Sequence, residues 1–371
     1  MLAGFFCLIF YIYEVKKGLL MLEMLEIKKL IREKGYLIAD GATGTNLFSM
    51  GLESGYPPEL WNIEAPQKVA ENHTKFIQAG SDIILTNTFG ANKHRLKLHD
   101  AQDRTYEINF EAAKIARKLA SKCKRKIIVA GSIGPTGDLI TPLAQLTRED
   151  AIETFTEQTK GLKDGGIDLA WIETMSAEEE LECAILAAKN NNLPIVCTYS
   201  FDTHGKSMMG LEPKDLVRLA EKYYPDVIGY GANCGIGASE LIGTMICLAK
   251  ERKNKAMYLI AKGNCGIPEF IEGEITYTGT PDLMAKYASF AKQIGADIIG
   301  GCCGTKHEHI AAMRDALNSN QSSDIDLELI KNSLGNFSTG NAALIDRYLN
   351  PNKEVKALLK RKTRRRKKNT S

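Results

Sequence analysis

The sequence of 371 residues has no apolar run of the roughly 20 residues that a membrane-spanning helix needs. Its most hydrophobic stretch, Met1 to Tyr13, stops short of that length. Lys16 and Lys17 follow this stretch, whereas a secretory leader carries its basic residues in front, and no small-residue cleavage site comes after it. Neither a membrane anchor nor a signal peptide is expected. Residues 1–23 read as an extension from an upstream translation start, with Met21 or Met24 opening the folded protein. An excess of one charge is also missing, the formal net charge being +3. Eight basic residues crowd into Lys360–Lys368, and removing them leaves the rest of the chain at −5, so no nucleic-acid footprint covers the body. No aromatics are interleaved with that block to stack on bases, and it reads as a solvated, disordered end. No Walker loop is present, and no Gly-x-Gly-x-x-Gly follows an early strand, which argues against a bound nucleotide. The nine cysteines, an odd number, do not suit a secreted disulfide framework, so a reducing cytoplasm is expected. Cys7, Cys123, Cys183 and Cys247 read as small buried hydrophobes.

What the sequence does have is a period. Eight short apolar runs with little alternation, Tyr36–Asp40, Asp82–Thr86, Lys126–Gly131, Asp168–Glu173, Pro194–Ser200, Val227–Ala232, Met257–Lys262 and Asp297–Gly301, are separated by helix-like stretches. This is the pattern of parallel strands buried on both faces. Gly-x-Asp followed by two apolar residues recurs at Gly80, Gly166 and Gly295, at spacings of 86 and 129 residues, two and three times 43. Each copy puts a helix-stopping glycine ahead of a strand. Ser176 with Glu179 suggests a capping box, and Thr280-Pro281 an N-cap followed by proline. The expected fold is a single (β/α)8 TIM barrel over residues 24–320, ending near residue 318, with 321–371 as a C-terminal extension. A doubly wound open sheet is the alternative.

Barrel chemistry sits where strands end. Cys234, in Gly231-Ala232-Asn233-Cys234-Gly235, follows the sixth run, and Cys302 and Cys303, in Gly300-Gly301-Cys302-Cys303-Gly304, follow the eighth. Three thiolates on one rim suit zinc, and three protein ligands rather than four mark an open, catalytic position. Fe²⁺ accepts the same tetrahedral thiolates. Cys265 would close the site as a fourth ligand and is read as a neighbour. A metal-binding module without enzymatic activity is the rival class.

These motifs, together with Asp40-Gly41-Ala42-Thr43-Gly44-Thr45, Thr86-Asn87-Thr88-Phe89, Gly134-Pro135-Thr136-Gly137 and Glu173-Thr174, resemble the homocysteine-binding methyltransferase family over residues 25–318. Within it, Asp40–Asn46, Gly51–Trp61 and Met208-Met209-Gly210 look closest to bacterial betaine–homocysteine methyltransferases. The resemblance implies that Cys234, Cys302 and Cys303 hold zinc, which binds the homocysteine sulfur as thiolate for methylation to methionine. It implies that Asp40 and Glu173 hold the substrate ammonium. The glycine-rich run Gly41–Thr45, with Gly41, Ala42 and Thr43 at its head, and the run Ser132–Gly137 read either as amides for the substrate carboxylate or as plain tight turns. The resemblance also implies that Trp61 lines the donor site, an aromatic face suiting a quaternary ammonium.

The donor is expected to be a small onium compound. The corrinoid signature Asp-x-His-x-x-Gly is absent, since Asp202-Thr203-His204-Gly205 lacks the glycine three residues after the histidine. Betaine comes first, giving dimethylglycine, with dimethylsulfoniopropionate, S-methylmethionine or a separate methyl-corrinoid protein as alternatives. The animal betaine enzymes carry tyrosines where this chain has Gly90 and Thr174, so the cage would have to be rebuilt from Phe89, Tyr199 or Phe201. No nucleic-acid or membrane partner is expected. In the animal enzymes a C-terminal extension mediates subunit contacts, so the resemblance leaves residues 325–358 as the candidate contact of a homo-oligomer.

Overall fold

Apolar runs without alternation form strands here because both faces are covered, one by the barrel interior and the other by helices. The computed structural model describes residues 25–202, 204–271, 274–319 and 325–350. Its strands are β1 (Leu37–Ile38), β2 (Ile83–Leu85), β3 (Ile128–Ile133), β4 (Leu169–Met175), β5 (Ile195–Tyr199), β6 (Val227–Cys234), β7 (Tyr258–Gly263), β8 (Pro268–Ile271), β9 (Glu274–Tyr277) and β10 (Ile298–Gly301). All but β8 and β9 pair in parallel, in the order β1-β10-β7-β6-β5-β4-β3-β2. A parallel bridge between Ala39 and Ile83 joins β1 to β2. Around it, the Asp82 N–H donates to the Ile38 carbonyl (2.7 Å) and the Asp40 N–H to the Ile83 carbonyl (3.0 Å), and the ring closes. The fold is the (β/α)8 barrel that the sequence leads one to expect, and its last helix, His307–Leu317, ends where the period does.

Inside the barrel, Leu37, Ile83, Ile128, Leu169, Ile228 and Ile298 pack against Ile27 and Ile31 from a helix over 25–34, which closes the end where the strands begin. The repeated Gly-x-Asp has a double role there. Gly80, Gly166 and Gly295 are left-handed caps of the preceding helices, with φ of 113°, 102° and 95°. Each aspartate then accepts a backbone N–H of the neighbouring strand: Ile38 to Asp82 (3.0 Å), Val129 to Asp168 (2.7 Å) and Leu259 to Asp297 (2.8 Å).

Thr280 caps its helix as expected, accepting the Leu283 N–H at 3.2 Å, with Pro281 at the first position. The Ser176 capping box does not form. The helix Glu178–Asn190 starts two residues later, its N-cap is Ala177, and no side chain caps it. The antiparallel hairpin β8–β9 is an insertion that the sequence reading missed. Beyond the barrel, helices Leu327–Leu334 and Thr339–Leu349 fold back onto the helix Ala238–Glu251. Residues 1–23 and the basic block Lys360–Lys368 lie outside the described residues. Among the described residues, no helix is long and apolar enough to cross a membrane.

Candidate metal centre and active site

Register brings the three cysteines together. β7 lies between β6 and β10, and its last residue, Gly263, pairs with Cys234 on one side and with Gly301 on the other. The Cys302 N–H then donates to the Gly263 carbonyl (2.7 Å), and the Cys303 N–H to Asn264 Oδ1 (3.0 Å). The turn is tight enough that a Cβ on Gly301 would lie 2.2 Å from the Thr305 side chain, so only glycine fits. Cys234 has a φ of 59°, a left-handed backbone that costs a non-glycine residue about 1–3 kcal/mol.

The sulfurs of Cys234, Cys302 and Cys303 all lie within 4.8 Å of one another, and those of Cys234 and Cys303 are 3.9 Å apart. Tetrahedral zinc with Zn–S bonds near 2.3 Å wants sulfurs about 3.8 Å apart, which the Cys234–Cys303 pair already meets. Hydrogen bonds from Cys234 and Cys302, with Tyr277 assisting, draw the Cys303 thiol down to about 3. Cys302, although its bond with Cys234 favours the thiolate, is pushed up to about 11 by Cys303 and by burial. One thiolate is thus easy and further ones are costly, an imbalance that a dication removes. Cys265 is buried and turns away, its thiol donating to the Gly279 carbonyl at 3.2 Å.

Beside the sulfurs lies a buried ionic group. Asp40, at the end of β1, accepts the Leu85 N–H (2.8 Å) and the Lys262 ammonium (3.2 Å), and both side chains are essentially without solvent exposure. The Lys262 ammonium also stands 5.8 Å from the centre of the Trp171 ring. Burial opposes its charge, but Asp40, Glu173 and Cys302 around it outweigh that and raise its pKa. Glu173, from β4, accepts the Ser132 hydroxyl at 2.5 Å, and its carboxyl is pushed up to about 7, chiefly by burial.

A cavity of about 390 Å³ opens over this floor, lined by Cys234, Cys302, Cys303, Glu173 and Lys262. Gly41, Ala42 and Thr43 are on its wall, but the Ala42 N–H is committed to the Thr305 carbonyl (3.0 Å). Asp40 is not on the wall and reaches the cavity through Lys262. Trp61 is not on the wall either. It is half-buried against the cluster of Leu47, Leu52 and Val69, and its ring already carries the Lys68 ammonium 5.0 Å from the centre. Tyr199 and Phe201 pack into the core with ring centres 5.8 Å apart, so of the aromatics named for a rebuilt cage only Phe89 reaches the cavity.

The sequence profile described as "Homocysteine S-methyltransferase" matches residues 37–317, which is the barrel. The chain belongs to the homocysteine S-methyltransferase family. Methionine synthases of Mycobacterium leprae and Mycobacterium tuberculosis are each 28% identical over 299 residues, covering 76% of this chain and 24% of theirs. The chain thus spans about a quarter of the length of these curated relatives. The metallated form of the Escherichia coli homocysteine methyltransferase MmuM superposes with a TM-score of 0.64 at 22% identity, covering 78% of this chain and 99% of that one. Its apo form gives 0.60 at 21% identity over 77% and 98%. At such identities the likeness supports the fold.

Within this family barrel, several site residues escaped the sequence reading. Lys262 ends a strand, where a lysine ordinarily reaches water. Asn233 accepts the Thr174 N–H (2.8 Å) and the Thr198 hydroxyl (2.6 Å), donates to Thr174 Oγ1 (2.7 Å), and so fixes the strand ends around Cys234. Tyr277, on the hairpin, packs beside Gly304 next to Cys303. Asn233 and Asn264 stand next to cysteines in the two Gly-x-Asn-Cys-Gly-like stretches, and that adjacency was the available signal.

Proposed function

We propose that this protein transfers a methyl group from a small onium donor, betaine first, to the sulfur of homocysteine, with zinc held by Cys234, Cys302 and Cys303. The observation that carries the reading is the convergence of three thiols with Glu173 and Lys262 on the floor of one cavity. Cys234, Cys302 and Cys303 would hold the zinc, which would supply the Lewis acidity that keeps the substrate sulfur a thiolate at neutral pH. Glu173 accepts the homocysteine ammonium, whose positive charge lowers the carboxyl back toward its ordinary range. Lys262, kept charged by Asp40, offsets the negative charge that accumulates around the sulfurs and offers a cation to the substrate carboxylate. The sulfur lone pair forms the new S–CH₃ bond as the C–N⁺ bond of the donor breaks. The bonding pair returns to nitrogen, giving methionine and dimethylglycine. The cavity has room for homocysteine and one small donor, in the range typical of small-molecule sites.

The test combines metal analysis with product analysis. Cys234→Ala, Cys302→Ala and Cys303→Ala should each lose bound metal and methionine formation, and mass spectrometry of the metal distinguishes zinc from iron. Wild-type protein is supplied with homocysteine and betaine, dimethylsulfoniopropionate, S-methylmethionine or methylcobalamin. Turnover with an onium donor is expected, and turnover with methylcobalamin alone overturns the onium reading.

A further inference from the structure

The cavity holds two centres of charge. Glu173 and Lys262 belong with Asp40 and Cys302, whose charges they sense directly. Glu59 lines the same cavity, and the charged side chains that act most on its carboxylate are Arg95 and His99. It is 6% exposed, and its Oε1 accepts the Gly90 N–H at 2.6 Å. Among the described residues its carboxylate makes no ion pair; its hydrogen bonds come from backbone amides, those of Gly90 and of Glu59 itself. A buried carboxylate served only by backbone amides is costly, and burial raises its pKa. The cost is relieved when a cation arrives. Two aromatic rings, Phe48 and Phe89, line the cavity with it, and both remain partly exposed. Gly90 leaves the space that the carboxylate uses, since a Cβ there would lie 2.8 Å from Glu59 Oε1.

We infer that Glu59 is the residue that recognises the positive charge of the methyl donor, doing by ion pairing what an aromatic cage does elsewhere. The inference rests on the onium reading above. It also carries a kinetic signature. The donor loses its positive charge as the methyl group leaves, so Glu59 attracts bound donor more strongly than the transition state. Its contribution belongs in the donor KM, and kcat does not depend on it for speed.

The experiment compares betaine with 3,3-dimethylbutanoate, which has the same shape with carbon in place of the charged nitrogen. Binding of both to zinc-loaded wild type and Glu59→Gln is measured by calorimetry, alongside steady-state kinetics with betaine. Glutamine keeps an acceptor for the Gly90 N–H, and circular dichroism with metal content confirms an intact site. Wild type should prefer betaine over the carbon analogue, which lacks the positive charge, by about tenfold or more. Glu59→Gln should abolish that preference without weakening binding of the carbon analogue, and raise the betaine KM about tenfold without lowering kcat or changing the homocysteine KM. Equal weakening of both compounds, or of neither, would show that Glu59 only caps the Gly90 turn and overturns the inference. A wild-type protein that turns over no onium donor at all overturns the parent reading instead.

Discussion

Glu173 is a carboxyl lifted by burial from an ordinary 4.5 to about 7, and that shift has a thermodynamic consequence in the metal-free protein. Between those two values the folded state keeps a proton that the unfolded state has released. Stability contributed at Glu173 is therefore full below about pH 4.5, falls as pH rises, and levels off above about 7. Glu173→Gln cannot titrate, so its stability relative to wild type should climb between pH 4.5 and 7 and then stay level. Chemical unfolding of chelator-treated protein across that range measures it, and parallel curves would mean Glu173 is charged throughout. At this scale the sequence shows the chemistry better than its surroundings. Cys234, Cys302 and Cys303 were legible because glycines flank thiols at strand ends. Lys262 was not, because nothing local says that a strand-end lysine will face Asp40 inside a barrel. Trp61 was legible as an aromatic, but its partner Lys68 stands one helix later and the ring is spoken for.

At the scale of the element, the Gly-x-Asp repeat shows how a 43-residue period acts physically. The glycine ends a helix, and the aspartate two positions on fastens the incoming strand to its neighbour. Asp168 illustrates the load. Its Oδ2 accepts the Val129 N–H at 2.7 Å and meets the Arg117 guanidinium at 2.6 Å, with the side chain 16% exposed. Asp168→Ala leaves a strand N–H without its acceptor and Arg117 with only the Gly166 carbonyl, a loss of about 1–3 kcal/mol. The urea midpoint should fall at constant slope while metal content stays that of wild type. A midpoint within error of wild type would show that water replaces the carboxylate without penalty. The eight barrel strands were legible because burial on both faces leaves an unmistakable apolar run. The hairpin β8–β9 was not, since its two strands are four residues each and their pairing is a contact between strands rather than a property of either.

At the scale of the whole molecule, the C-terminal helices change what the barrel is. An ordinary barrel helix shows one face to water, yet every residue from Ala238 to Leu248 is buried. The cover comes from Ile330, Leu344 and Ile345, themselves nearly without exposure, and from Asn341, whose Nδ2 donates to the Glu240 carbonyl (2.8 Å) and to Glu240 Oε2 (3.0 Å). Ser338 Oγ donates to the same carboxylate at 3.0 Å. The sequence past residue 320 looked polar and gave no sign of this, because the apolar positions are few and their partner is a helix 90 residues earlier. That helix begins four residues after Cys234, so whatever holds it also steadies one of the three sulfurs. We propose that barrel and extension unfold as one unit. A chain ending at Ser319 should then melt at lower temperature than full-length protein and, when both are first loaded with zinc, lose it to a chelator faster, since each aliphatic side chain uncovered forfeits about 1.5–3 kcal/mol of burial. Ile345→Ala, which opens a cavity in the same seam, should shift both measurements in the same direction by less, costing about 2–5 kcal/mol. Unchanged melting together with unchanged chelation in the truncated protein would mean that the extension lies on the barrel without supporting it. Lower melting with unchanged chelation would confine its support to the far side of that helix, away from Cys234.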